Sequence, residues 1–485
     1  MSAALMIQGT GSDVGKSLLV AGIARALSNQ GLKVMPFKPQ NMSNNAAVTS
    51  EGGEIGRAQA LQARAARTPL LNDMNPVLLK PQSETGAQII VQGKVWGQAA
   101  ARQYQDIKQE LLPYALDSFN RLKINSDIVL VEGAGSPAEI NLRKNDIANM
   151  GFAEAADIPV VLAGDIDRGG VIAQLVGTHA LLSPSETSRT KAFIINKFRG
   201  DTSLFSDGLK IITEKTGWNS LGIVPYFKDA HKLPPEDALS VYNPQEQVGT
   251  VNIAVVVLSR ISNHDDFDPL ATDPDVNLIM VRPGTPIPPN MDLIILPGSK
   301  STIDDMKFLT AQGWDIDIKA HLRQGGSVLG ICGGYQMLGN MIRDPMGIES
   351  SQPEIEGLGL LDFETEMHPA KTLLEETGIH LESETKVSGY HMHLGKCVGP
   401  ALSRPFLNLS SGDDGCVSEN GQVMGTYLHG LFQQDQFRQK FLNQLRPGQR
   451  RLRQFEHEVE ESLNGLAAHL KQHLDMNQLM EIAGC

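Results

Sequence analysis

The feature that most narrows what this chain can fold into is an alternation: short runs rich in Val, Ile and Leu are each followed by a longer segment of helical periodicity. A strand so followed returns through a helix before the next strand pairs beside it, so the pattern predicts βαβ units and a mostly parallel sheet. In the first half the runs fall at 3–7, 33–37, 127–131, 159–163 and 192–195, each leading within two residues into Gly, Pro, Asn or an acid. The series lapses over 226–249, a polar stretch containing Lys232-Leu-Pro-Pro-Glu-Asp237, and resumes with runs at 251–258, 293–296, 328–331 and 423–425. The expected architecture is therefore α/β, with two consecutive mostly parallel-sheet domains over 1–240 and 249–446. Leucines at helical spacing among charges over 456–482 predict amphipathic helices in a C-terminal tail, 447–485.

A chain of 485 residues has ample length for a core in each domain. Its net charge of -13 argues against a nucleic-acid partner, whose phosphates would be repelled, and favours a small-molecule enzyme. The four cysteines, Cys332, Cys397, Cys416 and Cys485, are widely spaced with no C-x-x-C pair, so neither a disulfide framework nor a zinc knuckle is suggested and a reducing compartment is expected. No run approaches the roughly 18 apolar residues of a spanning helix, so a cytoplasmic protein without a membrane partner is expected.

In open α/β sheets, chemistry sits beyond the carboxyl ends of the strands. Gly9-Thr-Gly-Ser-Asp-Val-Gly-Lys-Ser17 lies directly after the first strand and before a helical stretch at 18–27. Amides of such a loop (Thr10, Gly11, Ser12, Val14, Gly15) cradle phosphates, Lys16 neutralises β/γ charge, and the Ser17 hydroxyl can ligate Mg²⁺. The usual G-x-x-x-x-G-K-[ST] pattern has Gly before four variable positions; here Gly9 starts one residue early and Gly11 follows Thr10. Three further strand ends carry candidates. Glu132 could hold Mg²⁺ directly or through water, Lys38 offers a second cation to a transferring phosphoryl group, and the Asn196 amide could read a nucleobase edge.

In the second half, Ser327-Val-Leu-Gly-Ile-Cys-Gly-Gly-Tyr-Gln-Met-Leu338 delivers a thiol from a strand into a double-glycine turn before a helix. That is the layout of a nucleophile elbow at Cys332, with following amides that favour the thiolate. Its base is best sought at His429, in Gly425-Thr-Tyr-Leu-His-Gly-Leu-Phe432. Leu296-Pro-Gly-Ser-Lys300 can supply an oxyanion amide at Gly298 or Ser299, with Gly333 as the other donor. His391 and His393 share a face if their segment is a strand, and with Cys397 they present a possible metal-ligand spacing.

Gly-Thr-x-x-x-Val-Gly-Lys-Ser, Lys38-Pro39 and Val131-Glu-Gly-Ala-Gly135 resemble the dethiobiotin synthetase branch of P-loop proteins. More specifically, Phe37-Lys-Pro-Gln-Asn-Met-Ser-Asn-Asn45, Glu54-Ile-Gly-Arg-Ala-Gln-Ala-Leu-Gln62 and Gly164-Asp-Ile-Asp-Arg-Gly-Gly170 resemble the cobyric acid synthase family. From Val251 to about Phe432, including Ser259-Arg-Ile-Ser-Asn263 and Asp266-Phe-Asp-Pro269, the chain is similar to that family's class I glutamine amidotransferase domain. The resemblance implies that Cys332 attacks the glutamine carboxamide while His429 shuttles the proton. It also implies ATP- and Mg²⁺-dependent amidation of corrinoid carboxylates through an acyl phosphate. Many class I domains carry Glu two residues after the histidine, but Leu431 stands there, which leaves a dyad with its third group open. The family usually shows Tyr-Glu-Ile-His where this chain has Tyr390-His-Met-His393, so His391 replaces an acid. Other readings are cobyrinic acid a,c-diamide synthase, with the same parts, and a P-loop ATPase switch carrying an inert amidotransferase-like domain.

Overall fold

The apolar runs of the first half pair into a parallel six-stranded sheet in the order Asn219–Pro225, Thr190–Phe198, Val160–Asp165, Ala3–Gly9, Ile128–Glu132, Val34–Phe37. Ala3–Gly9 is buried throughout, as a strand covered on both faces should be. The chain leaves it in both directions, so the crevice beyond Gly9 lies at a topological switch point, where open α/β sheets bind ligands. The computed structural model describes residues 2–81, 86–234, 249–448 and 450–485. They fall into two compact units, Met1–Glu236 with Val459–Cys485, and Asp237–Glu458. The boundary expected at 240–249 falls mainly on residues outside the described ones.

The first unit also holds a smaller sheet, Gln40–Met42, Val77–Pro81, Gly86–Val91 and Lys94–Ala100, whose strands the apolar-run pattern passes over. Lys80, Gln88 and Gln98 break their apolar runs, and the clearest local sign is the turn between its last two strands. There Gln92 and Gly93 have φ of 48° and 81°, the paired left-handed residues of a two-residue hairpin loop.

The second unit repeats the parallel plan in the order Val276–Val281, Val251–Val256, Leu293–Leu296, Ser327–Ile331, Val423–Thr426, with Cys416–Val417 antiparallel at the edge. A long antiparallel pair, Glu364–His380 and Thr385–Val398, is inserted between its last two parallel strands.

The C-terminal segment carries the helices Phe455–His473 and Met476–Ala483, and from Val459 it clusters with the first unit. Leu466 and Leu470 pack on Gly22 of the Lys16–Ser28 helix so closely that a Cβ there would stand 2.5 Å from Leu470 Cδ1. Arg25 of the same helix is fully buried and pairs at 2.8 Å with Glu460, which also takes Arg64 at 2.8 Å. Among the described residues no helix is long and apolar enough to cross a membrane, and the four cysteines are free.

Candidate active sites

The glycine-rich loop is tied down at its start. Thr10 N–H donates to Ala163 O at 2.9 Å, and its hydroxyl donates to Gln174 at 3.0 Å. Gly15 takes φ 93° and faces Asn196 so closely that a Cβ would lie 2.4 Å from Asn196 Nδ2, so only glycine suits the position. Lys16 Nζ, nearly buried, donates to Gly11 O at 3.0 Å and Gly135 O at 3.2 Å, which curls it over the loop. Ser12 is exposed at the tip while Val14 is buried. The Asn196 amide nitrogen donates to Val14 O at 2.8 Å, so here it anchors the loop rather than facing outward.

Glu132, at the end of its strand, gathers the remaining polar groups. Its Oε1 accepts from Ser17 Oγ at 2.8 Å and from Lys38 Nζ at 3.0 Å, and its Oε2 accepts from Gln62 Nε2 at 2.5 Å. Lys38 and Glu132 are almost wholly buried, 5% and 1% exposed at their side chains. The Ser17 hydroxyl and Glu132 carboxylate are hard oxygen donors at one point, and Gln62 Oε1 is buried without a hydrogen-bond partner, a donor set that fits Mg²⁺. Gln62 closes the Glu54–Gln62 motif, which by itself assigns it no role; in the structure it is a fully buried amide in the alanine-rich helix Arg57–Ala66.

In the second unit the elbow forms as its spacing predicts. Cys332 stands between the Ser327–Ile331 strand and the Gly333–Met337 turn with φ 52° and ψ -110°, a strained backbone for a residue with a Cβ. Its N–H donates to Thr426 O at 2.8 Å, and Sγ lies 3.7 Å from Met392 O. A Cβ on Gly334 would lie 2.0 Å from Leu296 O, so the glycine permits the turn to close on the neighbouring strand. The oxyanion candidates adjoin it: a Cβ on Gly333 would stand 2.9 Å from Ser299 N, and one on Gly298 would stand 3.0 Å from His429 Cε1. Ser299 is held by buried Asp305, which accepts its hydroxyl at 2.6 Å as well as the Ser259 hydroxyl at 2.6 Å.

His429 is fully buried and stacks on Tyr390 with ring centroids 5.2 Å apart, through a bridge in which each backbone N–H donates to the other's carbonyl at 3.0 Å. The open third position is filled by Asp266. Its Oδ2 lies 2.8 Å from His429 Nδ1, and its Oδ1 accepts the Gly430 N–H at 2.6 Å. Burial alone would pull the His429 pKa down, but the charges of Asp266 and Cys332 and the hydrogen bond to Asp266 raise it from 6.5 to about 10. Such an arrangement can serve thiol catalysis: a buried thiol, 5% exposed, at a strained turn, an imidazole oriented by a carboxylate, and two adjoining amides.

His391 and His393 do not converge on a metal. The first has Nε2 3.6 Å from Asp414 Oδ1, while the second stacks on Tyr427 at 3.7 Å and sets Nδ1 2.9 Å from Gly395 O. Burial, with His391 next, pushes the His393 pKa down to about 3. Among the described residues no group of His, Cys, Asp and Glu could hold a metal ion through such side chains alone.

Comparison with known proteins places both halves of the chain in known families. Residues 5–241 match the CobQ/CobB/MinD/ParA nucleotide binding domain, and residues 252–437 match the CobB/CobQ-like glutamine amidotransferase domain. A cobyric acid synthase of Methylorubrum populi is 57% identical over 99% of both chains, and one of Allorhizobium ampelinum is 56% identical over 100% of both. Among solved structures, PurLQS from Thermotoga maritima is similar at 16% identity and TM-score 0.30, covering 44% of this chain and 98% of that one. A likeness in sequence that runs the length of both units at more than half identity leaves one assignment, and the chain belongs to the cobyric acid synthase family, glutamine-dependent amide-forming ligases of cobalamin biosynthesis.

Proposed function

We propose that the chain converts the b, d, e and g carboxylates of adenosylcobyrinic acid a,c-diamide into carboxamides, giving adenosylcobyric acid. Residues 1–240 supply the ATP and corrinoid site, and residues 249–446 release ammonia from glutamine. The observation that carries this reading is the elbow thiol Cys332 beside a buried histidine whose other nitrogen is tied to Asp266.

At that site the Cys332 sulfur attacks the γ-carboxamide carbon of glutamine, and the amides near Gly298, Ser299 and Gly333 receive the developing oxyanion. His429 passes to the departing nitrogen the proton that its Nε2 took from the Cys332 thiol, ammonia leaves, and water, giving a proton to the same nitrogen, resolves the γ-glutamyl thioester to glutamate while that proton returns to the thiol. Asp266 keeps the imidazole in the tautomer that presents Nε2.

In the first unit, the amides of Thr10, Gly11, Ser12, Val14 and Gly15 with Lys16 would hold the ATP phosphates. A substrate carboxylate takes the γ-phosphoryl group, ADP leaves, and ammonia displaces phosphate from the acyl phosphate to give the amide. Ser17 and Glu132 are the groups that would hold Mg²⁺, which supplies charge neutralisation on the phosphates when bound. Lys38, fixed on Glu132, is aimed at the same region. Four free cysteines suit a reducing, cytoplasmic setting.

Incubation with ATP, glutamine and the a,c-diamide tests the assignment, with corrinoids separated by charge. Each turnover should remove one carboxylate charge and consume one ATP and one glutamine. An unchanged corrinoid in the presence of glutamine and ATP hydrolysis would overturn it.

A further inference from the structure

One short turn grips both nitrogens of the His429 ring. The turn His264–Phe267 carries Asp266, which takes Nδ1, and is capped by Asn263, whose Nδ2 lies 3.2 Å from Nε2. The Asp266 N–H donates to Asn263 O at 3.2 Å, so the two side chains are held at fixed spacing. Asn263 is 2% exposed and adopts φ 53° and ψ 44°, a left-handed conformation that Asn tolerates better than most residues. The preceding Ile261–Ser262 strand pairs with Gly298–Ser299, which ties this turn to the oxyanion strand.

Nε2 is the nitrogen that must exchange a proton with Cys332, because Asp266 holds the other. A ring nitrogen offers one lone pair or one proton, never more. An amide can serve either state, donating through nitrogen or, turned over, accepting through oxygen. Asn263 therefore contends with the Cys332 sulfur for a single hydrogen-bonding position. Its group is also a carboxamide, chemically the same as the one glutamine brings to that nitrogen.

We infer that Asn263 is a positioning residue that occupies His429 Nε2 while the site is empty and is displaced by the glutamine carboxamide. The inference rests on the assignment of Cys332 and His429 as the glutaminase pair. Before substrate arrives, the base is held in place but engaged, and binding glutamine breaks that contact. The cost appears in apparent affinity, since only the released fraction is competent to bind.

Asn263→Gly removes the amide while keeping the left-handed backbone. With a net hydrogen bond worth about 1 kcal/mol, the glutamine KM of the isolated hydrolysis should fall about 2- to 10-fold, with kcat within about twofold of the unaltered chain. A fall in kcat with KM unchanged means the amide merely supports the ring and overturns the displacement. So does no change in either constant. Thermal unfolding of the variant monitors its fold. Should it fail to fold, a crystal structure of the unaltered chain after alkylation of the thiol by 6-diazo-5-oxonorleucine decides: the Asn263 amide should stand more than about 3.5 Å from Nε2, and retention of the contact overturns the proposal. Cys332→Ala, assayed alongside, separates the two levels. Glutamine hydrolysis surviving in it defeats the underlying assignment, whereas its loss together with an unaltered KM in Asn263→Gly defeats only the displacement.

Discussion

Asp266→Asn tests the geometry of the thiol site most severely, because it changes one atom type and little volume. Asp266 and His429 have side chains 0% and 1% exposed, at 2.8 Å, so water screens neither. With an effective dielectric of about 20 and charges about 4 Å apart, the carboxylate favours the imidazolium by about 4 kcal/mol. If that stabilisation is fully expressed in the transition state, its loss lowers kcat by about 10³-fold. The hydrogen bonds act in the same direction. The Gly430 N–H, now donated to Asp266 Oδ1 at 2.6 Å, would claim the new amide's oxygen and leave its NH₂ facing Nδ1. Nδ1 would then have to accept, Nε2 would carry the ring proton, and the base would be blocked toward Cys332. Steady-state glutamine hydrolysis at saturating glutamine reads the effect directly. A loss of less than about tenfold would refute the orienting role.

The same variant has a signature in stability. His429 binds its proton more tightly in the folded chain, so its contribution is fully present below 6.5 and is withdrawn as pH rises through about 10. The difference in unfolding free energy between the unaltered chain and Asp266→Asn, measured in urea, should be widest near pH 6 and narrow toward pH 10. A gap that widens with pH would contradict the raised pKa.

Three further substitutions separate the parts of the chain. Cys332→Ala should abolish glutamine-supported amidation while high ammonia still supports it, and retained glutamine hydrolysis would exclude the thiol as nucleophile. Lys16→Ala removes the cation curled over Gly11 and Gly135 and should stop amidation with either nitrogen source, whereas normal ATP turnover would count against the phosphate role. Leu466, 2% exposed against Gly22, should cost about 2–5 kcal/mol when cut to Ala, and urea unfolding unchanged from the parent would show that the C-terminal helix does not stabilise the first unit.

What could be read from the sequence follows the range of the interactions involved. The glycine-rich loop and the elbow are defined by neighbours along the chain: Gly15 needs its left-handed backbone, and Cys332 is held at a strained turn between its own strand and the following glycines. Both are visible in nine to twelve consecutive residues. The partners that make them reactive come from far away. Asp266 reaches His429 across 163 residues, and Gln62 reaches Glu132 across 70. Asp265, Asp266 and Asp268 crowd one short stretch, and nothing local says which carboxylate turns toward the histidine. That choice is made by the pairing of Ile261–Ser262 with Gly298–Ser299, which fixes where the following turn points. Leu431, at the position where an acid was expected, is fully buried in the core of the second unit, so it packs where a carboxylate would need charge compensation. The third group can therefore move along the chain without leaving the histidine, because the site requires an oxygen at Nδ1 and places no demand on which strand end delivers it.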